Sequence, residues 1–463
     1  MDLLYRRHDT QYDLLKKILG NLSEGIPFTP APGQTLPVEE QGPNTVSQFV
    51  SAGLVDSFGR VRVSEPQTVL EAKHINGSDS SVWSDLVSGS ATGVEDVSAS
   101  RFLMSAPANS PGSAAHQTFR RAYYQAGKSQ LIEVTFNITS LTNAGDKSAV
   151  EWRVGYGDAT WGIFFGGNGN PVGLDDVWIK RRRQGGSDPS ETVLRSEWNV
   201  DRLDGTGPSG KVLNILTPQI VWFDCEWLGV GQIRCGFIID GERVLCHTLA
   251  WNNEVTTPFG PYLPSLSLPL RYSVTSSGAG AGATPFTLAA ICGTVKSEGG
   301  QESIGRDLTI YRSVIAPLTV TPGSTWIPIL GFRLAAATGA RSIVRPVNID
   351  VCPISGNNPM EFGLFRSPTL AGTAVTYSAW PGSAFLEAFV NNTGATTISA
   401  GEPLVIGTIV STAQGRSAIQ IPVNPENQLG LSAAGVPDTL ILAVRAAGTG
   451  NVVAGSVGLR IAH

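Results

Sequence analysis

Charge is scarce in this chain. Asp, Glu, Lys and Arg make up 15% of 463 residues, against about 25% in an average soluble protein. That excludes a charged helical bundle or coiled-coil rod. The net charge is −5, which excludes a protein that coats nucleic acid through a basic surface. Long apolar runs are missing: none approaches the ~18 residues of a membrane-spanning helix, so no membrane insertion is expected. The first residues, Met1-Asp2-Leu3-Leu4-Tyr5-Arg6-Arg7-His8, lack the apolar core and small-residue cleavage site of a signal peptide. Cysteine is sparse, with five residues, an odd number, and no Cys-x-x-Cys pair. That pattern argues for reduced thiols in a protein made in cytoplasm, and against a zinc site. No Gly-x-Ser-x-Gly, phosphate-binding loop or dinucleotide fingerprint occurs, and the loop acids Asp175, Asp176, Asp201 and Asp204 match no EF-hand spacing. No cofactor and no metal are expected.

What is abundant is turn chemistry. Gly (53) and Pro (29) exceed the usual share without reaching that of disorder. Short alternating runs lie between turn signals such as Asn76-Gly77, Asp204-Gly205 and Asp240-Gly241. The chain therefore reads as all-β: two β-sandwich, jelly-roll-like domains preceded by a short helix and a Pro-rich linker. The helix is expected over 1–24, where Tyr5, His8, Tyr12, Leu15, Leu19 and Leu22 recur at heptad spacing. Under three heptads are too short to be stable alone, so the segment suits an anchor that associates with copies of itself. Residues 25–49 hold five prolines and read as an extended connector. The body domain is expected over 50–305. A second sandwich is expected over 306–463, from eight short strands near 326–334, 342–351, 361–366, 384–390, 404–410, 417–422, 440–446 and 456–461.

Within the body, residues 221–237 read as a hairpin around Gly229-Val230-Gly231. With Val230 at the tip, Glu226 faces Arg234 as a surface pair and Cys225 faces Cys235 as opposed thiols. Asp224 and Glu226 also stand two apart on one strand face, as the acid and nucleophile of sandwich-fold glycosidases do; position 228, where a further acid would fall, is Leu. The basic run Arg181, Arg182 and Arg183, with Trp161 and Trp251 beside loops, offers a contact for a glycan or anion, whereas an exposed strand edge is the plainer reading.

The segments Asp56-Ser57-Phe58-Gly59-Arg60-Val61-Arg62-Val63-Ser64, Ala126-Gly127-Lys128-Ser129-Gln130, Asn199 to Gly205, Asp224-Cys225-Glu226-Trp227-Leu228-Gly229-Val230-Gly231, Leu268 to Tyr272, and Thr294 to Gly300 stand out together. As a set they resemble a virion-protein family of tailed phages and some large DNA viruses of aquatic hosts. The similarity spans 50–305. It implies a structural component of a virus particle made without a signal peptide: a tail fibre or spike for host-surface attachment, and alternatively a capsid decoration or head fibre. The partners it implies are a homotrimer, other virion proteins and a host-surface glycan. The family offers no catalytic residues to carry over, and the chain is expected not to be an enzyme, with a glycan depolymerase at Asp224 and Glu226 as the outlying alternative.

Overall fold

A computed structural model describes residues 56–462, apart from 61, 63, 184–190, 254–259, 303, 336–341, 392, 410–416 and 421–426. The expected helix and linker, with Tyr5, His8, Tyr12, Leu15, Leu19 and Leu22, lie outside the described residues. The described chain is antiparallel β-structure in four sheets.

Two of the sheets come from residues 67–297. In one, the strands run in the order Glu242–Ala250, Gln232–Ile239, Gln219–Glu226, Gln130–Ser140, Pro285–Ser297, Arg101–Pro107 and Thr92–Asp96, with Gln67–Lys73 also paired to Pro285–Ser297. In the other the order is Glu191–Leu194, Val177–Arg183, Trp161–Asn168, Val150–Gly157, Leu270–Ser277, Pro111–Thr118 and Trp83–Gly89. Strand alternation explains the packing, because residues at every second position share a face. Ile132, Val134 and Phe136 point inward from the first sheet, and Trp152, Val154 and Tyr156 from the second, all fully buried in one core. Phe136 and Trp152 meet there with ring centroids 5.6 Å apart.

The other two sheets come from residues 306–462. One joins Arg306–Arg312, Asn451–Ala462, Ile343–Ser355 and Ser417–Gln420, with Leu318–Val320 also paired to Asn451–Ala462. The other joins Ser378–Ala379, Leu386–Val390, Ile327–Leu334, Thr439–Ala446, Met360–Gly372 and Thr396–Ile409. Each of the eight strands expected here is present. The sequence reading missed Arg306–Arg312, Leu318–Val320 and the two-residue Ser378–Ala379.

A loop of the second sandwich hooks onto the first. Leu431 N donates to Phe119 O (3.0 Å), Ala433 N to Ser84 Oγ (3.0 Å), and Gln428 Nε2 to Arg121 O (3.1 Å). At its base Asp438, buried, accepts from Arg366 Nη1 at 2.8 Å and from Gly430 N at 2.7 Å. A Cβ on Gly430 would stand 2.3 Å from Phe119 O, so this approach of two backbones needs glycine. Gly430→Ala should cost about 1–3 kcal/mol, as overpacking does, and should split one calorimetric transition into two. A single unshifted transition would show that the hook does not couple the sandwiches.

Candidate functional site

The strand Gln219–Glu226 sends Val221, Phe223 and Cys225 into the core, which leaves Trp222, Asp224 and Glu226 on its other face. That face is covered, not solvated. Asp56 to Arg60 folds over it as a tight turn. Asp56 Oδ1 accepts from the backbone N–H of Phe58 (3.0 Å) and Arg60 (2.8 Å), and Gly59 adopts φ +78°, the left-handed region that glycine enters without strain. Ser57 Oγ then donates to Asp224 O at 2.5 Å.

The turn brings two arginines down on the strand's carboxylates. Arg60 Nη2 lies 2.7 Å from Glu226 Oε2, and its Nε 2.5 Å from Asp56 Oδ2. Arg62 Nη2 makes a close ion pair with Asp224 Oδ2 at 2.8 Å, without hydrogen-bond alignment, and Arg62 Nη1 lies 3.3 Å from Glu298 Oε1. From the neighbouring strand Arg234 Nη2 reaches Asp224 Oδ2 at 2.5 Å. Beside this group Glu133 accepts from Arg243 (2.5 Å) and Lys296 (2.7 Å).

Asp224 and Glu226 are fully buried. Burial pushes the Glu226 carboxyl up to about 7; the charges of Asp56 and Asp224 add to the rise, and Arg60 opposes it. Glu298 is raised for the same first reason. Among the described residues Asp224 Oδ1, Glu226 Oε1 and Glu298 Oε2 find no hydrogen-bond partner. Four carboxylates (Asp56, Asp224, Glu226, Glu298) meet three guanidiniums (Arg60, Arg62, Arg234). That imbalance agrees with a Glu226 that holds its proton near neutral pH.

The expected surface pair is corrected on two counts. Asp224, not Glu226, stands opposite Arg234; Glu226 stands opposite Gln232, Cys225 opposite Ile233, and Cys235 opposite Phe223. The turn centres one residue earlier than expected, with Leu228 at φ +35° and Gly229 at +85°, closed by Gly231 N donating to Trp227 O at 2.7 Å. This moves the pairing by two positions, which keeps every side chain on its face. The residues are also buried, because the turn from Asp56 covers them.

Cys225, Cys235 and Cys246 are buried free thiols, and burial raises all three above the ordinary thiol range. Thiolate is the reactive form, so all three should resist alkylation in the native protein. Mass spectrometry should find them labelled after unfolding without reductant; a linked pair at that step would contradict this.

The expected glycan contacts are separated by the same alternation. Arg181 points inward and is 3% exposed. It donates to Tyr262 O at 3.0 Å and lies 5.5 Å from the centroid of Trp251, which is itself buried and stacked on Tyr262 at 3.9 Å. Arg181 and Trp251 are therefore core, not a sugar platform. Arg183 donates to Pro261 O at 3.1 Å, and Trp161, across from it in the sheet, is half-buried against the core. Only Arg182 of the run keeps to the outer face. Asp176 is occupied as an acceptor from Lys147, Asn168 and the Gly173 N–H, and Asp201 from the N–H groups of Leu203 and Ser209. Among the described residues no three His, Cys, Asp or Glu side chains are grouped to hold a metal ion, and no helix is long and apolar enough to cross a membrane.

Sequence reasoning missed the convergence of Arg60, Arg62 and Glu298 on Asp224 and Glu226. The signal present was an Arg-x-Arg pair and a strand-end Glu, both within segments already singled out, but their meeting depends on pairing far apart in sequence.

Fold and site together define a protein of two antiparallel sandwiches with a buried ion-pair knot on one outer sheet face. No protein-family model matches the chain, and no curated protein matches it. Among solved structures, an endo-1,3-β-glucanase from Streptomyces sioyaensis matches at 12% identity and TM-score 0.34, over 52% of this chain and 99% of its own. A carbohydrate esterase from the Shiga toxin-encoding bacteriophage phi24B matches at 11% and 0.28, over 51% and 100%. The carbohydrate recognition domain of Emp47p matches at 10% and 0.30, over 51% and 98%. Likeness at this level assigns none of their activities to this chain. The expectation that the chain is not an enzyme is corrected on this finding: the structures it is similar to include a carbohydrate esterase and a glucanase.

Proposed function

We propose that the protein is a structural component of a tailed-phage particle, a fibre or spike that attaches the particle to host-surface glycan. The supporting observation is that the segments carrying the family resemblance are bonded to one another. Arg60 reaches Glu226 at 2.7 Å and Gly127 O at 3.3 Å; Lys128 Nζ donates to Gly300 O at 3.1 Å; Arg62 joins Asp224 to Glu298. Segments some 70 to 240 residues apart in sequence thus form one knot, as a shared architectural signature would require. In this reading residues 1–24 anchor a homotrimer. Proteomics of purified particles should find the chain, native mass spectrometry should give three copies, and the purified full-length protein should compete with particles for host cells. Absence from the particle would reject the reading.

A second reading, glycan cleavage at Asp224 and Glu226, is favoured by one observation: a carboxyl held up to about 7 beside a second carboxylate can donate a proton at neutral pH. It requires the Asp56–Arg60 turn to lift from a fully buried pair. Release of reducing sugar from host polysaccharide by the wild type, lost in Glu226→Gln, would establish it.

A further inference from the structure

Two buried histidines and a half-exposed aspartate cross the edge of the first sandwich, and neither reading above uses them. His116 stands directly opposite Asp85 where Pro111–Thr118 pairs with Trp83–Gly89, in one sheet. His74 follows the strand Gln67–Lys73 of the other sheet, and Ile291 lies in that strand's neighbour Pro285–Ser297. Their contacts run in a row from sheet to sheet. Ile291 O lies 2.7 Å from His74 Nδ1, His74 Nε2 lies 2.8 Å from His116 Nε2, and His116 Nδ1 lies 2.5 Å from Asp85 Oδ1. His74 is 1% exposed and His116 0%, whereas the Asp85 side chain is 43% exposed. The row therefore starts in the core and ends at water. Aromatic rings hold the imidazoles in place: His116 stacks on Trp83 and on Phe102, each at 4.1 Å, and His74 stacks on Trp83 at 4.9 Å.

Counting protons along this row gives an odd result. A carbonyl oxygen only accepts, so His74 Nδ1 must donate to Ile291 O. The two Nε2 atoms need one proton between them, and His116 Nδ1 with the Asp85 carboxylate needs another. Three contacts take three protons, but two neutral imidazoles supply two. With two, every choice of tautomers leaves one contact as a pair of facing lone pairs. Burial lowers the proton affinity of each ring and outweighs the carboxylates on each. The row holds its third proton as a unit nonetheless. Releasing it would leave lone pairs opposed at 2.8 Å or less in a low-dielectric core, where an unmade hydrogen bond costs most.

The surrounding charges favour the same state. Asp85 and Glu95 both raise the two rings, and the buried Glu95 Oε1 has no hydrogen-bond partner among the described residues. The nearby cations are taken up elsewhere, Lys73 by Glu71 (2.8 Å) and Arg101 by Asp96 (2.9 Å). Tyr272 donates to Cys292 O at 2.8 Å, and burial keeps its hydroxyl protonated; the Cys292 thiol lies 3.5 Å from Thr135 Oγ1.

We propose that the His74–His116–Asp85 row is a proton-dependent clasp. It closes on a third proton, shared between His116 Nδ1 and Asp85 Oδ1, and loosens the edge strand Trp83–Gly89 when that proton is lost at higher pH. Such a proton is bound more tightly in the folded state than by an ordinary imidazole at 6.5. The stability it confers is fully present below pH 6.5 and is lost as pH rises beyond it. Ala433 N donates to Ser84 Oγ on this strand at 3.0 Å, so the clasp also sets how firmly the second sandwich is held.

The test is hydrogen–deuterium exchange of the full-length protein at about pH 6 and about pH 9, with each amide corrected for its intrinsic rate. Wild type is compared with Asp85→Asn, whose amide N–H can donate to an unprotonated Nδ1 and so completes the row with two neutral rings at either pH. Protection over Trp83–Gly89 should fall roughly tenfold or more between the two pH values in the wild type, and the variant should lack that fall. The strand Asn451–Ala462 should behave alike in both proteins. The same fall in both, or none in either, would overturn the proposal. A fall at Trp83–Gly89 without one at Leu429–Asp438 would uphold the clasp and reject its hold on the second sandwich. Proton spectra of the wild type alone give an independent count: three slowly exchanging protons should belong to this row at about pH 6, and two would overturn it.

Discussion

Asp224→Ala should destabilise the protein by about 3–5 kcal/mol, the usual cost of removing one partner from a buried ion pair. Asp224 is the shared acceptor of Arg62 (2.8 Å) and Arg234 (2.5 Å). Its loss leaves two guanidiniums, 12% and 10% exposed, facing each other, with Glu298 still on Arg62 at 3.3 Å. Urea unfolding followed by Trp fluorescence reads the effect directly. The control is Glu71→Gln, which breaks a pair with Lys73 in which both side chains are more than half exposed; it should change stability by less than about 1 kcal/mol. Equal effects of the two substitutions would mean that the knot contributes nothing.

Glu226→Gln should behave differently, with an effect that depends on pH. The Glu226 carboxyl titrates at about 7 in the folded protein against 4.5 ordinarily. The folded state therefore binds its proton more tightly than the unfolded state. The associated stability is fully present below pH 4.5 and is lost as pH rises through about 7, a change of ~3 kcal/mol. Gln stays neutral throughout. The variant should thus gain about 3 kcal/mol relative to the wild type between pH 4 and pH 8. His247 acts in the opposite sense. Burial holds it down to about 4 from 6.5, and its Nδ1 accepts from Asn199 N at 3.1 Å, so its contribution is lost as pH falls from 6.5 to 4. The two changes oppose each other in the wild type, and only the difference between wild type and variant isolates Glu226. A difference that stays flat with pH would show that Glu226 is an ordinary ionised partner of Arg60.

Strand positions were legible because alternation is a local property. The strands of residues 327–446 follow directly from short apolar runs between turn residues, and the faces of Asp224, Glu226 and Arg234 were assigned to the same side because parity survives a shift of two. Register was not legible, since it turned on Leu228 entering a left-handed conformation that its side chain gives no reason to expect. The covering of that face was not legible either: a strand with outward acids reads as solvated until a turn some 165 residues away is placed on it. The run at 181–183 held more information than its composition suggested. Val177, Ile179 and Arg181 share one parity, and that alone separates Arg181 from Lys180 and Arg182.

The hook at Leu429–Asp438 has a mechanical consequence. On the function proposed above, the protein would bear load between a fixed end and a bound end. Only the short stretch between Ser297 and Arg306 joins the two sandwiches covalently through the chain. Alone, that stretch would let them swivel. The bonds to Phe119, Ser84 and Arg121, braced by Arg366 on Asp438, add a second tie well removed from it in sequence. Two separated ties resist torsion where one does not, so the pair transmits a twist as a single lever.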